Sequence, residues 1–183
     1  EIILQQTQVV QGLGYYERFV SQYPDIQSLA SADQESVLKL WQGLGYYSRA
    51  RNLHKTAKFI VDSRAGKFPD TYAELIKLPG VGPYTAAAIA SFAFDEVSPV
   101  VDGNVFRILA RYFGVETDIL QSSARKEFTL LAQELIPSSD PARFNQAIME
   151  FGAIQCLPKS PDCSICVFHG DHNPHNCDDP WVK

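Results

Sequence analysis

Apolar residues in this chain recur at intervals of three and four, and glycine and proline cut that pattern into pieces of helical length. Val37, Leu38, Leu40 and Trp41 repeat behind Ser31-x-x-Gln34, a spacing that predicts a capped helix start, and Thr71-x-x-Glu74 predicts another. Asp140 followed by Pro141 reads as an N-cap with proline at the first helical position. Phe144, Ala147, Ile148 and Phe151 then predict one apolar helix face. Gly43, Gly45, Pro69, Pro79, Gly80, Gly82, Pro99 and Gly103 divide the remainder into segments of roughly ten to eighteen residues. No alternating run with a hairpin turn occurs, so the expectation is an all-α protein. With 183 residues, 45% of them hydrophobic, the chain has enough apolar mass for one or two cores, which excludes disorder and fibrous structure. The most apolar stretch, Thr85 to Ala93, is too short to cross a bilayer. From Cys156 onward the periodic pattern gives way to cysteine, histidine, proline and aspartate.

The formal charge of −5 argues weakly against a nucleic-acid partner, but a global sum hides a local stripe. Arg49, Arg51, Lys55, Lys58, Arg64 and Lys67 lie close together with Asp62 as the one acid among them, while Asp162, Asp171, Asp178 and Asp179 crowd the last segment. A basic stripe of this kind serves either as a solvated helix face or as a binding surface. The chain opens Glu1-Ile2-Ile3-Leu4 without methionine, cap or basic leader, and is therefore expected to be cut from something longer.

Three constellations carry chemistry. In Leu78-Pro79-Gly80-Val81-Gly82-Pro83-Tyr84-Thr85 a helix end, a glycine-bracketed turn and a proline-started helix follow one another, the helix-hairpin-helix signature. Glycine permits backbone angles that other residues avoid, and the new helix offers unpaired amides with partial positive charge, so Gly80, Val81 and Gly82 can hold a phosphate without a side chain. About twenty residues on, Val100-Val101-Asp102-Gly103-Asn104 precedes a helix with Val105, Ile108 and Leu109 on one face; Asp102 or Asn104 would serve as its N-cap. The last constellation is Cys156-x6-Cys163-x2-Cys166-x10-Cys177, which holds all four cysteines of the chain. Such clustering with a Cys-x-x-Cys pair favours a metal over disulfides, and spacing alone leaves zinc and iron-sulfur both open.

The hairpin followed by Asp102 resembles the helix-hairpin-helix DNA glycosylase superfamily. Glu1-Ile2-Ile3-Leu4-Gln5-Gln6-Thr7-Gln8 and Gly43-Leu44-Gly45-Tyr46-Tyr47-Ser48-Arg49-Ala50-Arg51-Asn52-Leu53-His54 resemble its adenine DNA glycosylase branch, the MutY family, over nearly the whole span from Glu1 to Cys166. The resemblance implies a base-excision repair enzyme that removes adenine mispaired with 8-oxoguanine, or with G, from double-stranded DNA. It assigns Glu1 as the catalytic acid and Asp102 as the anion facing the oxocarbenium-like sugar, supported by Asn104. Gln6 would wedge into the duplex, Tyr46 would stack beside the oxidised guanine, and Gln146 would touch the extruded adenine. Gly43 and Arg49 join the DNA-contacting set. Relatives that also cut the backbone carry a lysine where this chain has Tyr84, and tyrosine cannot form a Schiff base, so a monofunctional enzyme using water is expected.

The same resemblance selects a [4Fe-4S] cluster over zinc. The family's cysteine gaps are six, two and five, whereas the last gap here is ten, and counting five beyond Cys166 lands on His172, with His169 and His175 beside it. Cys177 as fourth ligand after an inserted loop is the favoured reading; a histidine ligand or a zinc-binding tail are the alternatives. The expected architecture is a helical barrel domain at 13–115 containing the hairpin at 78–85, a second helical domain from 1–12 plus 116–155, and a cluster loop at 156–177. A monomer without membrane association is expected, located with the bacterial nucleoid. A thymine mismatch glycosylase of the same superfamily and a non-catalytic DNA-binding iron-sulfur module are the rival readings.

Overall fold

The computed structural model describes residues 1–169, and the regular structure among them is entirely helical. In chain order the helices are α1 (Val9–Gln22), α2 (Ile26–Ser31), α3 (Gln34–Leu40), α4 (Ser48–Arg64), α5 (Tyr72–Leu75), α6 (Pro83–Phe94), α7 (Gly103–Phe113), α8 (Ser122–Leu135) and α9 (Pro141–Ile154), followed by a 3-10 turn at Cys163–Ile165. None of them is long and apolar enough to cross a membrane. The chain divides into two compact units, Glu1–Ala86 and the part from Ala87 onward.

In the first unit α2 and α3 pack on α4. Phe19, Leu29, Val37, Trp41, Leu44, Ala50 and Ala57 form the core beneath them. The Trp41 and Phe19 rings meet edge to face at 6.1 Å, and the Trp41 indole N–H donates to Gly45 O at 3.1 Å. That donation satisfies the one polar atom of the buried indole and ties the glycine-rich loop to the core. Helix starts depart in detail from the sequence pattern. α3 is capped by Asp33, whose carboxylate accepts from Ser36 N at 2.8 Å, while Ser31 ends α2. Aspartate is the better acceptor for the orphan amides, and it displaced the expected Ser31 start. Asp25 and Ser28 form a capping box at α2. Thr71 occupies the N-cap of α5 without a side-chain bond, and Glu74 pairs instead with Arg64 at 2.9 Å.

In the second unit α7 packs against both α8 and α9. Val105, Phe106, Leu109, Ala124, Phe128 and Ala132 fill the space between, with the Phe106 and Phe128 rings edge to face at 4.9 Å. Val105, Ile108 and Leu109 are buried, as their spacing predicts. Asp140 caps α9 through Arg143 N at 3.1 Å with Pro141 at its first position. The α9 face differs from the pattern: Ala147 is exposed, while the polar Asn145 is among the most buried residues of the protein.

His54 of α4 lies 3% exposed with Nε2 lacking a hydrogen-bond partner. Burial lowers its pKa, and the neighbouring Lys58 adds to that. The unfolded chain therefore binds this proton more readily than the folded one, so stability is full above the unfolded value of about 6.5 and falls on acidification below it. The urea midpoint should drop as pH is lowered through that range, and His54→Gln should flatten the slope.

Candidate functional site

The first unit gathers the amino-terminal turn, the glycine-rich loop and the hairpin. Residues 1–7 form successive turns, with Leu4 N donating to Glu1 O at 3.0 Å and Thr7 N to Leu4 O at 3.1 Å. Glu1 keeps solvent contact, yet the protein around its carboxyl removes enough water to raise its pKa above the ordinary glutamate value, against a lowering by the adjacent amino group. Gln6 is exposed, with φ +53°, and Tyr46 is 63% exposed, with φ +46°. Both are non-glycine residues in the left-handed region, a conformation that costs of order 1–3 kcal/mol and persists only where surroundings enforce it. Gly43 has φ +100°, which the loop requires there.

At the hairpin Gly80 has φ +75°, and a Cβ there would lie 2.6 Å from Asn52 Cβ on α4, so the turn needs glycine for both reasons. Thr56 of α4 donates to Pro79 O at 3.0 Å and fixes the same turn. Gly82 faces open space, Val81 is half-buried, and the first-turn amides of α6 have no intrahelical acceptor. Tyr84 is half-buried in that first turn. Gln5 Nε2 donates to Thr85 Oγ1 at 2.9 Å, joining the amino-terminal turn to the start of α6.

Arg49 occupies a different place from the surface position expected of a DNA contact. It is 7% exposed, and its guanidinium donates to main-chain carbonyls of Ile2, Ile3, Gln5, Leu44 and Gly45 and to Thr7 Oγ1. A cation taken from water needs acceptors, and two converging turns supply them to both terminal nitrogens, while Nε is buried without a partner. Arg64 likewise leaves the basic stripe for its pair with Glu74, whereas Arg51, Lys55 and Lys58 remain exposed.

In the second unit Asp102 is the N-cap of α7. Its Oδ1 accepts from Asn104 N and Val105 N, both at 2.9 Å, and its Oδ2 accepts from Asn104 Nδ2 at 3.0 Å. Both carboxylate oxygens are thereby held in position. Asn104 Oδ1 accepts in turn from Arg107 Nη2 at 2.8 Å, and Arg107 also donates to the carbonyls of Gly152 and Cys156, each at 2.6 Å. Gly152 lets α9 approach: a Cβ there would stand 2.6 Å from Asn104 Cβ. Asn145, two turns earlier on α9, accepts from Val100 N at 3.0 Å and donates to Ser91 Oγ and Ser98 O at 2.8 and 2.9 Å. Arg107 and Asn145 carry no sequence signal of their own, apart from an asparagine interrupting an apolar face. Gln146 is exposed.

In the cysteine segment Cys156 is a buried free thiol whose Sγ faces Arg111 Nη1 at 3.3 Å. Arg111 is buried too, donates to Leu157 O and Pro158 O, and has an unpartnered Nε. Among the described residues no carboxylate pairs with it. A buried arginine donating to sulfur fits the sulfur donor set of an iron-sulfur cluster. Cys163 and Cys166 flank one 3-10 turn, with Cys166 N donating to Cys163 O at 3.3 Å. Among the described residues no three metal-ligating side chains converge; Cys177, His172 and His175 lie outside the described residues, and His169 is exposed.

A glycine hairpin thus leads to a proline-started helix, and an aspartate caps the helix after it. Residues 1–135 match the HhH-GPD superfamily of base excision DNA repair proteins, and the chain belongs to that family. It is similar to the adenine DNA glycosylase of Buchnera aphidicola subsp. Schizaphis graminum, 43% identical over 166 residues that cover 91% of this chain and 48% of the relative. Against the adenine DNA glycosylase of Mus musculus the identity is 48% over 167 residues, covering 91% and 32%. The chain thus spans half or less of these curated relatives. Among solved structures, a thermostable thymine-DNA glycosylase superposes with a TM-score of 0.83 at 30% identity, covering 91% of this chain and 76% of that one.

Asn145 supports the strand of backbone that leads into Asp102, and its three partners have no substitute if the amide is removed. Asn145→Ala should lower unfolding free energy by about 3 kcal/mol, the order expected for buried groups left unsatisfied. Urea unfolding at constant m-value would measure it.

Proposed function

We propose that this chain is the catalytic core of an adenine-specific DNA glycosylase that hydrolyses the bond between adenine and its sugar opposite 8-oxoguanine or guanine in double-stranded DNA. The observation that carries this is the 43–48% identity to adenine DNA glycosylases over 91% of the chain, beside a family match over residues 1–135 that includes both the Glu1 turn and the Asp102 cap. The environments of the two carboxylates support the division of labour. Desolvation favours the proton on Glu1, and three N–H donors hold both oxygens of Asp102 as acceptors.

In this reading the duplex is held at the hairpin of Gly80, Val81 and Gly82 and the first turn of α6, where the amides of Gly80 and Gly82 meet a phosphate oxygen and Val81 N, which donates to Leu78 O at 3.1 Å, shapes the turn. Gln6 and Tyr46 project from exposed left-handed turns into the duplex, offsetting the few kcal/mol that base extrusion costs. The exposed Gln146 meets the extruded adenine. Glu1 gives its proton to the base as the glycosidic bond breaks and the electron pair leaves with adenine. Asp102, steadied by Asn104, faces the positive charge developing on the sugar, and a water oxygen completes the new bond to C1′ while its proton passes to solvent, from which Glu1 is reprotonated. Tyr84 offers no amine for covalent attack, so the product keeps an unbroken backbone.

Cys156, Cys163, Cys166 and Cys177 would hold a [4Fe-4S] cluster, which would cross-link the loop and place its neighbouring segments. Because a solved thymine-DNA glycosylase is also similar, the assay sets A against T as the mispaired base. Excision of T and not A would transfer the assignment to that activity.

Glu1→Gln should reduce single-turnover excision by at least about 10²-fold, the lower end for general acid catalysis, while duplex affinity stays near wild type. The protonated form is the active one. A raised pKa therefore extends activity upward, and the rate should fall with rising pH through a value above the ordinary 4.3 of glutamate. Residual activity within about tenfold of wild type would remove Glu1 from this role. Separately, isolated protein should be yellow-brown with about four irons per chain. Colourless protein with one zinc would overturn the cluster and make His172 the next residue to replace.

A further inference from the structure

The geometry points to Arg49 as a positioning residue that grips the two left-handed turns presenting Gln6 and Tyr46 to the duplex, and so holds both in one register. The inference rests on the glycosylase reading for what those side chains do, but its structural core does not. Each turn is held on both sides of its left-handed residue. Around Gln6, one nitrogen of Arg49 donates to Gln5 O, the carbonyl just before it, and to Thr7 Oγ1, just after it. Around Tyr46, the other nitrogen donates to Gly45 O, and the Arg49 backbone N–H donates to Tyr46 O at 2.9 Å. The Tyr46 ring itself faces the guanidinium at 5.7 Å, and the buried Trp41 ring lies on it at 5.3 Å.

A left-handed non-glycine residue relaxes to negative φ when released, and that rotation would swing its side chain to a new direction. Clamping the peptide before the residue and a group after it removes this freedom. The task needs a planar fork whose two terminal nitrogens reach separate acceptor groups; a lysine ammonium is a single point and cannot span both turns. With its faces and edges enclosed, the guanidinium has no route to a phosphate, in contrast to the exposed Arg51, Lys55 and Lys58 on the same helix.

Arg49→Lys tests this, because it keeps the charge and most of the packing. Three measurements on the full chain separate the possibilities. Amide exchange at Thr7, Leu44 and residue 49 should quicken together by about tenfold or more, while exchange at Ala57 and Ile60 in α4 stays unchanged. Single-turnover excision should fall at least about tenfold through misplacement alone. The salt dependence of duplex affinity should keep its slope, whereas loss of a phosphate contact would reduce it by about one. Methylguanidinium added to Arg49→Ala should restore part of the excision rate and slow the same amides.

Unchanged exchange, loosening of only one turn, or a reduced slope with unchanged rate would each overturn the assignment. If neither variant unfolds cooperatively, Arg49 is a folding residue of the whole unit and the narrower role fails. If wild-type protein excises no base, the glycosylase reading fails while coupled loosening of the two turns still stands or falls by exchange.

Discussion

A guanidinium taken out of water must find acceptors for its N–H groups, and in the first unit the only acceptors within reach of Arg49 are main-chain carbonyls and one hydroxyl. That requirement bends the chain around it. Residues 1–7 and the loop at 43–47 run as irregular turns, and the buried cation collects the carbonyls of Ile2, Ile3, Gln5, Leu44 and Gly45. Trp41 closes the arrangement from the core side, its indole N–H sharing Gly45 O with Arg49. Two strained, exposed residues are the outcome, each displayed by a turn that could not hold its shape without the partner beneath it.

The second unit solves a related problem by the same means. Arg107 and Arg111 spend their donors on carbonyls of Gly103, Gly152, Cys156, Leu157 and Pro158, and no carboxylate among the described residues pairs with either. Carbonyl partners neutralise hydrogen-bonding need without cancelling charge, so the positive field persists beside Asp102's neighbour Asn104 and beside the Cys156 thiol. Gly152 and Asn145 make the geometry possible, one by having no side chain and the other by having an amide with both donor and acceptor ends in use. In an acidic protein these arginines are structural members, whereas Arg51, Lys55 and Lys58 stay exposed on α4.

Much of the candidate site was legible because its pieces are local. The Leu78–Thr85 turn is written in glycine and proline, whose backbone limits hold wherever they stand, and Asp140 with Pro141 announced α9 for the same reason. Asp102 was visible as a cap because capping joins residues two and three apart. Ser31 was misread because Asp33 lay two residues on with a stronger acceptor, a competition that spacing alone does not rank. Arg49 was read as part of a basic stripe because a charge count has no knowledge of which helix face turns inward. Ala147, expected on the apolar face, is exposed, and Asn145 is buried because Val100 N, Ser91 Oγ and Ser98 O meet its amide.

The sequence by itself determined the helical class, the punctuation, the hairpin and the presence of a carboxylate at each functional turn, since each depends on the conformational limits of a few adjacent residues. Only the tertiary structure decided which polar groups go inside. Arg49, Asn145 and Arg111 are buried, and Arg107 half-buried, by acceptors that come from residues 42 to 54 positions away in the chain, alongside nearer ones. Burial of a polar group is decided by whether most of its donors and acceptors find partners, and that is a property of the folded surroundings, never of the residue type alone.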